Sequence, residues 1–191
     1  MPGSLLGTAV VRVEDPELLE GRGTYVANLR VDGLLHLRFV RSTVAHARIT
    51  SIDTSEAAAL PGVVGVFTGA DLGLASHFGI IVLNPAVPRP PMATETVYFV
   101  GDPVAVVVAE TPAQAEDGAE AVIVDYEPLD SLTDMESALA ADAPLLYEGM
   151  PGNLVAGQRS PTDDSLLDGA DVVVRARIEN QRIAVVPMEG N

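Results

Sequence analysis

The 191-residue chain has no cysteine, no tryptophan, few other aromatic residues and few cations. Each shortage removes a class of chemistry. Without cysteine there is no disulfide, no iron–sulfur cluster held by this chain and no thiol nucleophile. Aromatic residues make up only 4%, so the core must be aliphatic, built from Val, Leu, Ile and Ala. The 11 Lys and Arg stand against 27 Asp and Glu, leaving a net charge of −16. Such a surface repels phosphate backbones and anionic lipid, which argues against nucleic-acid and membrane partners and favours a role in solubility. The opening MPGSLLGTAVVRVEDPE lacks the basic start and long apolar stretch of a secretory signal. No window approaches the roughly 18 to 20 apolar residues of a membrane span, and a cytoplasmic location is the expectation.

What is present is enough apolar residue, 48%, for a proper core in one domain or one domain plus part of another. The clearest organisation lies between Val97 and Leu129. Val97 to Val100 is a short apolar run stopped by Gly101-Asp102-Pro103. Val104 to Val108 contains no polar residue, the pattern of a strand buried on both faces. Thr111 then stands as an N-cap, with Pro112 at the first helical position and Gln114 three residues after the cap. Ala115, Ala119 and Val122 form an apolar stripe, which leaves Glu116, Asp117 and Glu120 as a solvated face. Val122 to Tyr126 reads as a further strand, closed by Glu127-Pro128. Ala45 to Thr68 repeats this logic: a strand ending at Ile49 and Ile52, a short helix Ser55 to Leu60 capped by Asp53 or Thr54, the break Pro61-Gly62, and a strand Val63 to Thr68. The repetition predicts one sheet carrying both helices on one side, although the connections are short for parallel crossovers.

Elsewhere the signals are more local. Asp15 to Leu19 suits one helical turn, Thr24 to Leu29 a short strand, and Asp32-Gly33 a turn. Leu34 to Val40 alternates as a strand, with His36 and Arg38 on a polar face expected to meet solvent or a partner, and Leu35, Leu37 and Phe39 opposite. The prolines at 85, 88, 90 and 91 make His77 to Thr96 an extended surface excursion lying on a neighbouring domain. Asp134 to Ala141 suits a short helix with Met135, Leu139 and Ala138 inward. Ala143 to Asp171 reads as linker, Ala170 to Ile178 as a strand, and Ile183 to Val186 as another apolar run. A terminal strand pair of this kind cannot bury itself alone. It is expected to dock back on the first domain or, preferably, to be completed by a further segment or second chain.

No constellation assembles an active site. His36, His46 and His77 have no metal-ligand spacing, and His46 between two alanines suits packing. Arg41-Ser42 and Arg48 could make an anion site, but ion pairs with the many carboxylates are the better reading. Gly21-x-Gly23 is too short for a phosphate loop, and Gly62-x-x-Gly65 precedes a strand, the wrong order for a dinucleotide fingerprint. Asp163 and Asp164 lack calcium-loop spacing, and no serine sits in a nucleophile elbow. Catalytic, cofactor-binding and metal-ligating residues are therefore all expected to be none.

A set of motifs, in order, nevertheless carries a resemblance. It comprises Arg12-Val13-Glu14-Asp15, Gly21-Arg22-Gly23-x-Tyr25, Phe39-Val40-Arg41-Ser42, Ala45-His46-Ala47-Arg48-Ile49, Ile52-Asp53-Thr54, Pro61-Gly62-Val63, Gly69-Ala70-Asp71-Leu72, Val100-Gly101-Asp102-Pro103-Val104-Ala105 and Val124-Asp125-Tyr126-Glu127-Pro128-Leu129. Together they resemble the start of the molybdenum-binding large subunit of the xanthine dehydrogenase, aldehyde oxidase and carbon monoxide dehydrogenase family. Asn180-Gln181-Arg182 and Pro187-Met188-Glu189 are similar to the first strands of the molybdopterin-binding domain that follows in that family. Val44 departs from a usual Pro, Asn28 from a common Asp, and Gly190-Asn191 from a frequent Pro-Arg.

The resemblance implies an α+β fold: an α/β hammerhead domain with a mixed sheet and short helices over 1–142 (core about 20–130), a linker over 143–170 and the start of an incomplete molybdopterin-binding domain over 171–191. Complete family members imply a molybdenum–molybdopterin centre with a glutamate base, [2Fe-2S] clusters and FAD, all on other segments or subunits. The implied partners are the remainder of the large subunit, an iron–sulfur subunit and an FAD subunit. The substrate would be carbon monoxide, an aldehyde or a heteroaromatic ring, and the pterin loops and glutamate match no position here. The expected function is thus a structural N-terminal domain or split subunit of a molybdenum hydroxylase-type oxidoreductase. The alternatives are a truncated, inactive remnant and a stand-alone interaction module using His77 to Thr96.

Overall fold

A computed structural model describes residues 6, 7, 9–77, 84–157, 163–180 and 183. The chain divides into two compact units, Gly33–Asp163 and the pair of terminal segments Met1–Asp32 and Asp164–Asn191.

In the terminal unit, helix α1 (Asp15–Leu19) begins with Pro16 in its first turn, as the sequence suggests. Val26–Asn28 is a turn of 3-10 helix where a strand is expected. Asn28 Nδ2 donates to the Gly23 carbonyl at 3.1 Å, a local bond that curls the segment. The expected strand over Ala170 to Ile178 does not form, and residues 172–180 have no regular structure. Val172, Val174 and Ile178 stand exposed, because a strand needs a partner edge and none among the described residues pairs with this segment. Of the run Ile183 to Val186, all but Ile183 lies outside the described residues.

Gly33–Asp163 holds the sheets. Strands β1 (His36–Arg41), β2 (Ala47–Asp53), β3 (Val63–Thr68), β4 (Thr96–Val97), β5 (Pro103–Ala109) and β6 (Ile123–Pro128) alternate with helices α2 (Ser55–Ala59), α3 (Gly69–Leu72), α4 (Pro112–Glu120) and α5 (Met135–Ala138). The expected single sheet is replaced by two three-stranded sheets, ordered β1-β5-β3 and β4-β2-β6, and every pairing is antiparallel. The reason lies in the short helices. A parallel crossover needs about a dozen residues, and the five of α2 cannot return the chain to the same sheet. Each strand–helix–strand unit instead crosses between sheets: α2 carries the chain from β2 to β3, and α4 from β5 to β6.

The all-apolar β5 is the central strand of its sheet, as its sequence demands, and Val104 and Val107 are fully buried. One face of that sheet is covered by α2 and α4. Gly118 lets α4 approach so closely that a Cβ there would lie 2.8 Å from Val107 Cγ1 and 3.2 Å from Val63 Cγ2. Ala57, Val107 and Val122 centre one apolar cluster, while Ala47, Ala93, Val97 and Val104 centre another. Val40 and Val124 pack against both and join the sheets. The core is aliphatic, as the shortage of aromatics requires.

Three further expectations change. Met92 and Ala93, in the proline-rich stretch read as an excursion, are core residues, and the Ala93 N–H donates to the Pro103 carbonyl at 2.7 Å. In α5, Met135 and Leu139 point to solvent instead of inward; Asp134 caps the helix through the Glu136 and Ser137 N–H groups, so the cap alone starts it. Residues 143–157, read as linker, contain no helix or strand. They are nevertheless tied down, since Asn153 bonds Ala138, Pro144 and Leu146 backbone atoms and Met150 is buried.

Candidate functional site

The densest gathering of polar and aromatic side chains lies where the end of β1 meets the turn before β5. Gly101 adopts φ +97° there, a conformation that glycine alone takes without strain. The turn is stitched to the residue after β1 by backbone bonds: the Gly101 N–H donates to the Ser42 carbonyl at 2.8 Å, and the Ser42 N–H to the Asp102 carbonyl at 2.8 Å. Arg41 Nη1 donates to the Gly101 carbonyl at 2.8 Å, and its guanidinium lies 5.5 Å from the centre of the Phe39 ring.

Asp102 is buried, and its carboxylate accepts the Tyr98 N–H at 3.1 Å. Burial pushes its pKa above the ordinary carboxylate value, and the Tyr98 N–H offsets only part of that rise. Tyr98 stacks on Tyr147 with ring centres 4.5 Å apart, and on His46 at 5.5 Å. His46 Nδ1 is 2.6 Å from the Asp130 carbonyl; because a carbonyl only accepts, that nitrogen carries the proton. Burial raises the Tyr98, Tyr126 and Tyr147 phenols, with the Glu148, Asp102 and Glu95 carboxylates adding to the rise at Tyr98. All three phenols therefore remain neutral at physiological pH.

This arrangement holds residues in place and activates none of them. The Ser42 hydroxyl donates to the Val44 carbonyl at 2.8 Å and accepts the Val44 N–H at 3.1 Å, so it turns its own loop instead of meeting a base. The stack pins 144–150 onto the sheets.

The other residues singled out by sequence are dispersed. His36 sits half-buried on β1, and His77 bridges to Arg89 through backbone bonds of 2.9 and 3.1 Å. Arg48 pairs with Glu127 at 3.4 Å, the surface ion pair expected of it, whereas Arg41 binds a carbonyl and a ring. Glu116 is not simply solvated: it meets Arg38 in a two-pronged pair at 2.6 and 3.0 Å, which ties the polar face of β1 to α4 while both side chains stay partly exposed to water, as expected of them. Gly69 of Gly69-Ala70-Asp71-Leu72 abuts backbone, since a Cβ there would lie 3.1 Å from the Ala93 carbonyl oxygen. Asp71 and Thr68 cap α3 reciprocally, and these bonds hold the Asp71 carboxyl below its usual range. Among the described residues no three His, Asp or Glu side chains converge as metal ligands, and the sequence supplies no thiolate. An iron–sulfur centre would thus find no converging side-chain ligands among the described residues. Sequence reading missed Asp102, Tyr98 and Tyr147 as a unit. The Gly-Asp-Pro turn was the available signal, but the residues it ties together are remote in the chain.

The family described as "Aldehyde oxidase and xanthine dehydrogenase, a/b hammerhead domain" matches residues 20–130. The nicotine 6-hydroxylase large subunit of Paenarthrobacter nicotinovorans is 38% identical over 97% of this chain, but the match spans 23% of that protein. The carbon monoxide dehydrogenase large chain of Afipia carboxidovorans is 46% identical over 75% of this chain and 18% of its own length. Among solved structures, quinoline 2-oxidoreductase from Pseudomonas putida 86 superposes with a TM-score of 0.69 at 41% identity, covering 78% of this chain and 20% of the other. The chain thus spans less than a quarter of the length of these relatives. No helix among the described residues is long and apolar enough to cross a membrane.

Proposed function

Since the chain belongs to the aldehyde oxidase and xanthine dehydrogenase family through its α/β hammerhead domain, we propose that it is the N-terminal support of a molybdenum hydroxylase-type large subunit and contributes no catalytic residue. One observation carries this reading. The motif residues that mark the family are used for turns, caps and close approaches: Gly101 and Asp102 for the turn onto β1, Thr68 and Asp71 for the cap of α3, Gly69 for contact with the 92–93 backbone. In this reading 1–142 is the hammerhead domain, 143–170 connects, and 171–191 begins a molybdopterin-binding domain. The molybdenum cofactor, [2Fe-2S] clusters and FAD then sit on the remainder of the large subunit and on iron–sulfur and FAD subunits, in the cytoplasm. The substrate class is carbon monoxide, an aldehyde or a heteroaromatic carbon.

The test is to purify the chain alone and together with the proteins encoded beside it, from cells supplied with molybdate, and to measure metal content and dye reduction with each substrate class. Molybdenum and activity are expected in the assembly and not in the isolated chain. Stoichiometric molybdenum on the chain alone, or failure of any large-subunit polypeptide to join it, would overturn the proposal.

A further inference from the structure

Helices α2 and α4 cover only one face of the sheet β1-β5-β3; on the other, Val104 and Val106 of the central strand are buried while the flanking strands stay open. Its register places Leu37 beside Val108 and Gly65, and Phe39 beside Val106 and Phe67, in two rows on the face turned away from α2 and α4. Leu37 is 55% exposed, Phe39 39% and Phe67 40%, and no described element lies over them. A half-solvated antiparallel sheet ordinarily alternates apolar-in with polar-out, yet here the face turned away from the helices carries Leu37, Phe39, Val106, Val108 and Phe67. Among the described residues the outer edge of β1 is also unpaired, because the strand order leaves it a single neighbour. Leu37, Arg38, Phe39, Val40 and Arg41 in unbroken succession line a groove of about 590 Å³, closed on its far side by α4 and by Val124 and Tyr126 of β6. Consecutive residues of a strand can line one groove only through its backbone edge. An exposed edge beside an exposed apolar face is a surface that proteins normally cover.

We infer that the outer face and free edge of β1 are the docking surface for the polypeptide that lies beyond this chain in a complete large subunit. An extended segment would pair along β1, and apolar side chains would cover Leu37, Phe39 and Phe67. The inference rests on reading the chain as part of such a subunit, and it adds which surface is used. The occupant follows from length: relatives of 38% and 46% identity carry more than three quarters of their chain outside the matched region. A second copy is the poorer occupant, because two chains of net charge −16 repel each other.

The experiment substitutes this chain for the matched segment of the nicotine 6-hydroxylase large subunit, about a quarter of that protein, and expresses the full-length chimera with that enzyme's other subunits. Hydroxyl-radical footprinting then compares Leu37, Phe39 and Phe67 in the chimera and in the isolated chain. Labelling of all three is expected to fall at least fivefold in the chimera. Phe39→Glu is expected to cut the yield of molybdenum-loaded chimera at least tenfold, while Met135→Glu, on exposed α5, leaves it unchanged. A chimera that loads molybdenum yet labels at these residues like the isolated chain overturns the docking surface and leaves the functional reading standing. A chimera that takes up no molybdenum, with the parent subunit loading normally, overturns that reading and the surface with it. Protection already present in an isolated chain of dimeric mass assigns the face to a second copy, which also overturns the inference.

Discussion

Asp102 concentrates the chemistry of single residues in this fold. Its folded pKa lies above the unfolded value because burial disfavours the anion. The native state therefore holds the proton more tightly, so stability is highest below the unfolded value and falls as pH rises through the window between the two, then levels off. Asp102→Asn keeps an oxygen for the Tyr98 N–H and removes the charge. Melting followed by circular dichroism across mildly acidic pH is expected to show the wild type losing stability through this window and the Asn variant not. Asp102→Ala leaves that N–H without its acceptor and is expected to cost about 1–3 kcal/mol. A variant pair with identical pH profiles would show that the buried carboxylate is not ionising in the window. Asp71 behaves oppositely. Its depressed pKa gives a contribution that is present above the unfolded value and lost as pH falls through the folded one.

At the scale of elements, α4 shows how a helix with weak propensity is kept. Thr111 accepts the Gln114 N–H at 3.3 Å, and Gly118 stands in the helix interior, where glycine ordinarily costs about 1 kcal/mol relative to alanine. Gly118→Ala would recover that propensity but drive a methyl into Val107 and Val63, and overpacking costs about 1–3 kcal/mol. The expected result is a lower melting temperature, by denaturation of the purified variant; an increase would mean that the sheet yields easily under α4. Elements such as α4, α2 and β5 were legible because local signals determine them: a Thr-Pro start, a Pro-Gly stop, an unbroken apolar run. Which strands pair was not legible, since period and propensity say nothing about which of two sheets a strand joins. The same limit explains Ala170 to Ile178, whose alternation is that of a strand but which has no partner edge among the described residues. At the candidate site the motif residues could be read, but not their work. Asp102 and Tyr147 meet only through the fold, and His46 was rightly taken as a packing residue because its neighbours in sequence are alanines.

For the molecule as a whole, the strand pairings set an order in time. His36 pairs with Ala109, and Ala47 with Pro128, so each sheet is opened by an early strand, β1 or β2, and completed only when β5 or β6 has been made. Between them nothing complete can form: β1 waits for β5, and β2 keeps an open edge until β6 arrives. Because loop closure must precede these remote contacts, folding is expected to be slow for the size of the domain. A chain ended after Glu120, lacking β6, is expected to show no cooperative melt, and a sharp transition in that fragment would show that the β1-β5-β3 sheet stands alone. On the ribosome, the chain through β6 must therefore emerge before the domain can close. For that interval the apolar side chains of β1 and β3 are exposed, and the acidic surface is what keeps the nascent chain from meeting another.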